Sequence, residues 1–407
     1  MNATCIIVGA SHAGIHLAVG LRQEGWPGRV LLIGDEPGLP YHRPPLSKAY
    51  LKGDSELAII HPQASLDKHA IELLSNTRVT HIDRQTRHVV LSDHTRLAYD
   101  KLALCTGARL RRLPLKGSNL RGVHYLRDLA DADRLRAELP TARNAVIIGA
   151  GYIGLETAAS LRQAGLHVQV LEAAPRILGR SVDAPVSAFF QALHAAHGVT
   201  IETGCHVSEL LGHDAVTGVL CSDGRRLDAD LVVIGIGVQP NTELAEAAGL
   251  EVEDGILVDA HCRTRDPHIV AAGDCTRFPS HHLQRHVRLE CLANASDQAR
   301  VAAGTLCGVQ KCHDALPWFW SDQYATRLQI AGMADGYDQV IQRGSMDSGS
   351  FCRFYLKGER MLSALCVNQA KAFIACKRLI ASGLPIDTQK LADEGCDIAA
   401  LGPGLPA

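Results

Sequence analysis

The chain has 407 residues with a net charge of -2, and 46% of its residues are hydrophobic and 21% charged. This length predicts two or three domains, and the near-neutral charge argues against nucleic acid or an anionic membrane as a partner. The sequence has no apolar run of the ~20 residues that a membrane span needs and no signal-peptide pattern at its start, so we expect a cytoplasmic protein.

The first predicted unit is a strand, a glycine turn, a helix and a second strand. Its turn contains Gly9, Ser11, Ala13 and Gly14, and its second strand ends at Asp35. This order predicts a βαβ unit whose helix N-terminus binds the phosphates of a dinucleotide. Ser11 replaces the middle glycine of the usual G-x-G-x-x-G pattern. Asp35 is a candidate partner of a ribose hydroxyl, although an acid before Glu-Pro-Gly is also a good turn former.

Short β-branched segments follow at 78–83 and 88–108, and we predict that they form an antiparallel meander. The second segment ends in the small-residue turn CTGA, which includes Thr106 and Gly107. A later strand ends in Gly273-Asp274. A glycine there lets a helix N-terminus approach a ligand, and the aspartate can accept a hydrogen bond from a polyol chain. After two βαβ units this turn indicates FAD, although alone it is an ordinary turn.

A second unit repeats the first at 145–172, and its turn has the complete G-x-G-x-x-G pattern. Gly149 permits the tight turn, Gly151 lets a pyrophosphate approach the backbone, and Gly154 lets helix and strand pack closely. The repeat therefore predicts a second dinucleotide site in the same chain.

The strand of this second unit ends at Glu172, where a carboxylate can accept hydrogen bonds from the ribose hydroxyls. A carboxylate repels a 2′-phosphate, so we expect NADH rather than NADPH. Arg176, four residues later, is the alternative: it could meet such a phosphate, or it could cover the adenine or face solvent.

The last third of the chain, from Leu316, alternates at period two and predicts an antiparallel sheet, followed by a helix at 370–383. The predicted fold class is α/β, with two doubly wound dinucleotide-binding domains and a C-terminal α+β domain. We expect the FAD domain at 1–112 and 235–315, the NAD domain at 113–234 and the C-terminal domain at 316–407.

Several motifs occur in one order along the chain: GxSxxG, RPPLSKAYL, CTGA, GxGxxGxE, GIGVQPN, GDC, N-A-x-x-Q and PWFWSDQY. Together they resemble the oxygenase-coupled NADH:ferredoxin reductases of the FAD-dependent pyridine nucleotide-disulfide oxidoreductase superfamily. The resemblance implies a glutathione-reductase-like fold, FAD and NADH as cofactors, and a 2Fe-2S ferredoxin as transient partner. It also implies a monomer or weak dimer.

The resemblance also implies roles for individual residues. Lys48 is expected beside the flavin N5, paired with Glu156, and Trp320 near the isoalloxazine. The alternatives are a solvated Lys, an acid favoured by the helix dipole, and a core Trp. The FAD contacts are expected at Gly9, Ser11, Ala13, Gly14, Asp35, Arg43, Lys48, Val79, Thr106, Gly107, Arg127, Gly273, Asp274 and Leu292. The NAD contacts are expected at Gly149, Gly151, Tyr152, Ile153, Gly154, Glu172 and Gly235.

Cysteine usage separates this chain from the disulfide reductases of the superfamily. The 13 cysteines are scattered, no C-x-x-C occurs, and the loop at 36–48 contains no cysteine. Neither a thiol redox pair nor a metal site is therefore expected.

Without a thiol partner, electrons must pass to an external carrier, and we expect a ferredoxin that serves an oxygenase. A haem-thiolate monooxygenase is favoured over a ring-hydroxylating dioxygenase. The alternatives are a rubredoxin reductase, an NADH oxidase, or a redox-sensing flavoprotein similar to apoptosis-inducing factor. Arg109, Arg111 and Arg112 form a basic cluster that could steer an acidic ferredoxin, or could be solvated loop charges.

Overall fold

The computed structural model describes residues 3–402. Its first large sheet is fully parallel, and its five strands lie in the spatial order Ile269–Ala271, Lys101–Leu104, Thr4–Val8, Arg29–Ile33 and Ile71–Leu74. These strands are continuous apolar runs because a parallel sheet is covered on both faces. Helices His12–Gln23 and Leu292–Leu306 pack together on one face.

The strand Lys101–Leu104 corrects one prediction. An antiparallel meander forms at Val79–Asp83, His88–Leu91 and Arg96–Ala98, but Lys101–Leu104 joins the parallel sheet instead. The physical reason is burial: its last three residues are completely buried, whereas every meander strand has half-buried or exposed positions.

The second large sheet repeats the first. It is also fully parallel, and its strands lie in the order Val199–Thr203, His167–Glu172, Asn144–Ile148, Leu231–Ile234 and Val123–His124. Helices Tyr152–Gln163 and Ala184–Ala196 cover one face. Helix Leu129–Glu138 begins after Asp128, whose side chain accepts a hydrogen bond from the Asp131 amide.

The third large sheet is antiparallel and lies in the C-terminal part of the chain. Its strands are Trp318–Gln323, Thr326–Gly332, Arg360–Val367, Ser350–Lys357 and Gln339–Ser345, in spatial order. Helix Ala370–Ser382 packs on one face of this sheet. The other face joins the second sheet in one apolar core that includes Phe190, Phe351 and Leu365.

Smaller elements complete the chain. Two three-stranded sheets consist of Val207–Gly212, Val216–Cys221 and Arg226–Asp228, and of Ile256–Leu257, Thr276–Ser280 and Arg285–Val287. A two-stranded ribbon pairs Ala108–Leu110 with Val238–Pro240, where the chain passes between the two parallel sheets. The short helices are Pro44–Ser47, Ala49–Lys52, Gln63–Lys68, Glu243–Ala247, Thr388–Ala392 and Ile398–Leu401. In residues 3–402, no helix is both long and apolar enough to cross a bilayer.

Candidate functional site

The first glycine turn is packed too tightly for any other residue. Gly9 has a φ of +110°, and a Cβ there would lie 2.1 Å from the Cys105 carbonyl oxygen. A Cβ on Gly14 would lie 1.8 Å from the Gly9 carbonyl oxygen. Ser11 is the N-cap residue of helix His12–Gln23, and no side chain caps this end, so its first amides are free to meet a phosphate.

Two arginines lie beside this turn. Arg43 donates to the Ser11 hydroxyl (3.2 Å) and to the Arg127 carbonyl oxygen (2.8 Å), and it is paired with Glu36. Arg127 in turn pairs with Asp274 at 3.2 Å. The side chains of Arg43 and Arg127 are only 22% and 29% exposed. Two cations and an uncapped helix N-terminus fit the pyrophosphate of a dinucleotide.

The turn at Gly273-Asp274 is held in place by hydrogen bonds to the Gln298 side chain. The Gln298 side-chain oxygen accepts hydrogen bonds from the Gly273 amide (2.7 Å) and the Thr276 hydroxyl (2.9 Å). A Cβ on Gly273 would lie 3.0 Å from that of Ala13, so this turn lies against the first glycine turn. The structure thus brings Gly9, Gly14 and Asp274 together.

The remaining candidate FAD residues lie around the same sheet edge. Val79 is buried at the start of its meander strand, and Leu292 opens the helix that packs against the first one. The Thr106 hydroxyl donates to the Asn241 carbonyl oxygen, and the Asn241 side-chain amide donates to the Thr106 carbonyl oxygen. Gly107 follows with a φ of +66°. Asp35 follows the second strand, and its exposed carboxylate pairs with Arg78 at 2.9 Å.

Glu36, rather than Asp35, contacts Arg43 beside the first glycine turn. Its carboxylate accepts hydrogen bonds from both Tyr41 and Arg43. Sequence reasoning missed this residue because a turn of the form Asp-Glu-Pro-Gly does not indicate which acid points inward.

The second glycine turn has the same geometry as the first. Gly149 has a φ of +104°, and a Cβ there would lie 2.5 Å from the Gly235 carbonyl oxygen. A Cβ on Gly154 would lie 2.1 Å from the Gly149 carbonyl oxygen. A Cβ on Gly151 would meet no atom within 4 Å, and the helix begins there without a side-chain cap. Gly151 therefore borders open space that a ligand phosphate can enter, whereas Gly149 and Gly154 serve packing.

Glu172 lies at the carboxyl end of the neighbouring strand. Its carboxylate accepts hydrogen bonds from the amides of Ala150 (2.7 Å) and Ala174 (2.8 Å), which hold it next to the glycine turn. Of the two residues within the turn pattern, Tyr152 is largely buried against Phe319 and Ile153 is exposed. The structure thus groups the predicted NAD residues around one uncapped helix.

A largely buried ion pair links the short helices at 44–52 to helix Tyr152–Gln163, and Ser321 of the third sheet contacts the same carboxylate. Lys48 Nζ lies 2.5 Å from Glu156 Oε2, and the glutamate side chain is only 3% exposed. The hydroxyls of Ser47 and Ser321 donate to the two Glu156 oxygens, each at 2.7 Å. The carboxylate is therefore satisfied by three donors, as a buried charge requires. Sequence reasoning missed both serines, because Ser47 and Ser321 lie 109 and 165 residues from Glu156.

Trp320 projects away from this network. Residues alternate between the two faces of a strand, so Trp320 lies on the face opposite to Ser321. There it stacks on Trp318, with ring centroids 5.7 Å apart, and the Lys377 ammonium lies 4.5 Å from the Trp318 ring. The structure therefore does not bring Trp320 into the Lys48–Glu156 network.

The basic cluster of Arg109, Arg111 and Arg112 has partners within the chain. Arg109 pairs with Glu243 at 2.6 Å, Arg111 donates to the Val238 carbonyl oxygen, and the Arg112 guanidinium lies over the Tyr125 ring. These contacts support the ribbon between the two parallel sheets. Among the described residues, no group of three or more potential ligands could hold a metal ion, and all 13 cysteines are free.

Comparisons with known proteins agree with this geometry. The family model for pyridine nucleotide-disulphide oxidoreductases matches residues 3–299, and a model described as reductase C-terminal matches residues 318–402. Putidaredoxin reductase CamA of Pseudomonas putida is 45% identical over 97% of this chain and 95% of its own length. The crystal structure of a covalent putidaredoxin reductase–putidaredoxin complex contains a chain with a TM-score of 0.95 and 44% identity, with 98% of both chains covered.

A second solved structure is equally similar. The ferredoxin reductase for the CYP199A2 system of Rhodopseudomonas palustris has a TM-score of 0.95 and 43% identity, covering 99% of this chain and 100% of its own. The predicted α/β class, the flavin and nicotinamide cofactors and the oxidoreductase activity are thereby confirmed. The chain belongs to the pyridine nucleotide-disulphide oxidoreductase family, as its resemblance to the oxygenase-coupled ferredoxin reductases predicted.

Proposed function

We propose that this protein takes electrons from NADH and passes them to a 2Fe-2S ferredoxin that supplies an oxygenase. The observation that supports this most directly is the Lys48–Glu156 ion pair. It connects the short helices at 44–52, next to Arg43, with the helix that starts at the second glycine turn. Two dinucleotides bound at these turns would extend towards the same buried region. A bound flavin there would accept a hydride from NADH and pass the two electrons to the ferredoxin one at a time.

The first glycine turn is the proposed FAD site. The amides at the start of helix His12–Gln23, together with Arg43 and Arg127, would hold the pyrophosphate. Asp274, fixed by its pairing with Arg127, would accept a hydrogen bond from the polyol chain. Asp35 and Val79 are proposed contacts of the adenosine half. Lys48 would lie beside the flavin ring, where its ammonium favours negative charge at N5, and Glu156 holds that ammonium in position.

The second glycine turn is the proposed NADH site. The uncapped helix after Gly151 would meet the pyrophosphate, and Glu172 would accept hydrogen bonds from the adenosine ribose. Glu172 already holds two backbone amides, so its carboxylate cannot turn away from a 2′-phosphate without breaking these contacts. This arrangement supports NADH as the preferred donor.

The proposed acceptor is an external protein, because the loop after the first parallel strand pair lacks the cysteines that serve disulfide reductases as an internal acceptor. The loop at 36–48 has no cysteine, and the described residues contain no disulfide. The similarity to reductases named for putidaredoxin and for the CYP199A2 system supports a ferredoxin, and within that class it favours a haem-thiolate monooxygenase over a ring-hydroxylating dioxygenase. Such a ferredoxin must leave after each electron, so we propose a transient complex with a monomer or weak dimer of the reductase in the cytoplasm.

The proposed domain boundaries follow the two crossings of the chain. The FAD domain would comprise 1–112 and 235–315, the NAD domain 113–234, and the C-terminal domain 316–407. The strand Leu231–Ile234 lies in the second parallel sheet, and Val238–Pro240 pairs with Ala108–Leu110 just beyond it. These contacts support a boundary near 112 and 235.

A panel of acceptors tests the proposal. The FAD-loaded protein is mixed with NADH and, separately, with 2Fe-2S ferredoxins, rubredoxin and dioxygen. We expect at least one ferredoxin to be reduced far faster than rubredoxin or dioxygen. Faster reduction of rubredoxin would identify a rubredoxin reductase, and faster dioxygen use an NADH oxidase. Slow reduction of every acceptor, with a long-lived charge-transfer band, would indicate a redox-sensing flavoprotein instead.

A further inference from the structure

Two buried cysteines lie in contact beside the proposed NADH site. The Cys205 and Cys221 sulfurs are 3.4 Å apart. Cys205 precedes the first strand of the small sheet Val207–Gly212, and Cys221 ends the second strand of that sheet. They are 8% and 2% exposed, so Cys205 is the more accessible sulfur.

A cation lies next to the more accessible sulfur. The Arg225 guanidinium is 3.9 Å from Cys205 Sγ. Its other contacts, to Glu202 and Asp223 at 2.7 Å each, hold the guanidinium in place. Reactive cysteines often lie next to a cation, and Cys205 is the member of this pair that does. Burial, and then the hydrogen bond with Cys205, raise the pKa of the Cys221 thiol to about 12. Cys205 is the more exposed of the two sulfurs, so a small oxidant meets it first.

The chain contains a natural comparison. The Cys352 and Cys366 sulfurs are 3.5 Å apart, directly opposite each other on neighbouring strands of the C-terminal sheet. These residues are 3% and 0% exposed. Within residues 3–402, neither sulfur has an arginine among its hydrogen-bond partners. The two pairs thus match in separation and differ in their access to solvent and to a cation.

We propose that Cys205 and Cys221 are a modification site at which hydrogen peroxide forms a disulfide. The Cys205 sulfur attacks one oxygen of the peroxide and the O–O bond breaks. Cys205 becomes a sulfenic acid, and the other oxygen takes the Cys205 proton and leaves as water. The Cys221 sulfur then attacks that sulfur, the S–O bond breaks, and the departing oxygen takes the Cys221 proton as a second water. The two thiols lose two electrons in total, and the peroxide gains them.

The disulfide would act on the residue that faces the ribose, a step that rests on the proposed function. The Cys205 amide donates to the Glu172 carbonyl oxygen (3.0 Å), and the Gly204 amide donates to that of Ala174 (2.9 Å). A disulfide needs its sulfurs about 2.05 Å apart, so they must approach by about 1.4 Å. Because the Cys205 amide holds the Glu172 carbonyl oxygen, we expect closure of this gap to disturb the position of Glu172 and to weaken NADH binding.

Mass spectrometry tests the modification without relying on turnover. The full-length FAD-loaded protein is treated with hydrogen peroxide, alkylated and digested with trypsin without reduction. The segment 181–225 has no internal lysine or arginine and contains only these two cysteines. We expect this peptide to become two hydrogens lighter and unalkylated, and dithiothreitol to reverse the change. In Cys221→Ser, Cys205 should instead be trapped as a sulfenic acid by dimedone.

Two further variants sharpen the test. Arg225→Gln should slow formation of the disulfide about tenfold, because it removes the cation beside Cys205. Cys352→Ser is the matched control and should leave both the rate and the product unchanged. The proposal is overturned if the 181–225 peptide stays fully alkylated under peroxide, or if a Cys352–Cys366 disulfide forms as fast.

Kinetics then test the effect on NADH. In the fully oxidised protein we expect the KM for NADH to rise at least about threefold with ferricyanide as acceptor, and to recover with dithiothreitol. An unchanged KM in fully oxidised protein would refute the coupling to Glu172. Failure of every ferredoxin as an acceptor would refute the proposed function but leave the peptide measurement unaffected.

Discussion

Removing one partner of the Lys48–Glu156 pair should destabilise the fold far more than removing an exposed ion pair. Glu156 is 3% exposed and receives three hydrogen bonds, so Lys48→Met leaves a buried carboxylate with only two neutral donors. Breaking a buried pair costs about 3–5 kcal/mol. Glu156→Gln should cost less, about 2–3 kcal/mol, because the Lys48 side chain is 21% exposed and its ammonium can reach water.

A double-mutant cycle isolates the interaction itself. Urea unfolding of the FAD-loaded protein, followed by circular dichroism, gives the free energies for both single variants and for Lys48→Met with Glu156→Gln. We expect a coupling energy of about 2–3 kcal/mol, because the double variant leaves no uncompensated charge. The pair Arg29–Glu72 is the matched control: it has a similar separation of 2.6 Å, but its side chains are 45% and 53% exposed. Its coupling should stay below about 1 kcal/mol. Equal coupling energies at the two sites would refute the reasoning.

Three other predictions concern the two glycine turns, the coenzyme and stability against pH. Gly151→Ala should have the same unfolding midpoint as the parent but a higher KM for NADH, because its Cβ would occupy the open space beside the turn. Gly154→Ala should lower the unfolding midpoint, because its Cβ would meet the Gly149 carbonyl oxygen. Equal midpoints for the two variants would contradict this assignment. Glu172→Gln should narrow the ratio of kcat/KM for NADH over NADPH by about tenfold, and a ratio unchanged from the parent would show that the carboxylate does not select the coenzyme. His313 lies outside the site and is buried with its ring edge-on to Phe278. Burial lowers the pKa of His313 to about 4, so below about pH 6.5 the unfolded chain binds a proton that the folded chain does not. The free energy of unfolding should therefore fall between about pH 6.5 and 4, by at most about 1.4 kcal/mol per pH unit from this residue, and His313→Leu should make that fall shallower in urea titrations at each pH.

The sequence was most informative where local chemistry dictates the structure. The glycine turns were predictable because their close backbone contacts exclude every side chain, and that requirement appears in the sequence as a spacing. The strand Lys101–Leu104 was misassigned because a short apolar run does not reveal whether it is buried on one face or both. Lys48 and Glu156 were paired through the family resemblance, not by spacing.

The residues that complete the site were harder to predict because their partners lie far away in the chain. Ser321 reaches Glu156 across 165 positions, and nothing local to PWFWSDQY distinguishes this serine from the tryptophans around it. Similarly, the choice between Asp35 and Glu36 depends on where Arg43 lies after folding.

The shared carboxylate at Glu156 also limits how this chain could be recombined with its relatives. Its donors come from segments near 47 and 321, on opposite sides of the segment that contains Glu156 itself. A chimera that exchanges only the C-terminal part would retain a stable anion only if the incoming strand supplied a hydroxyl at the position of Ser321. The three parts of the molecule are therefore not independent modules. A part taken from a relative must also supply its own hydrogen-bond donor to the Glu156 carboxylate.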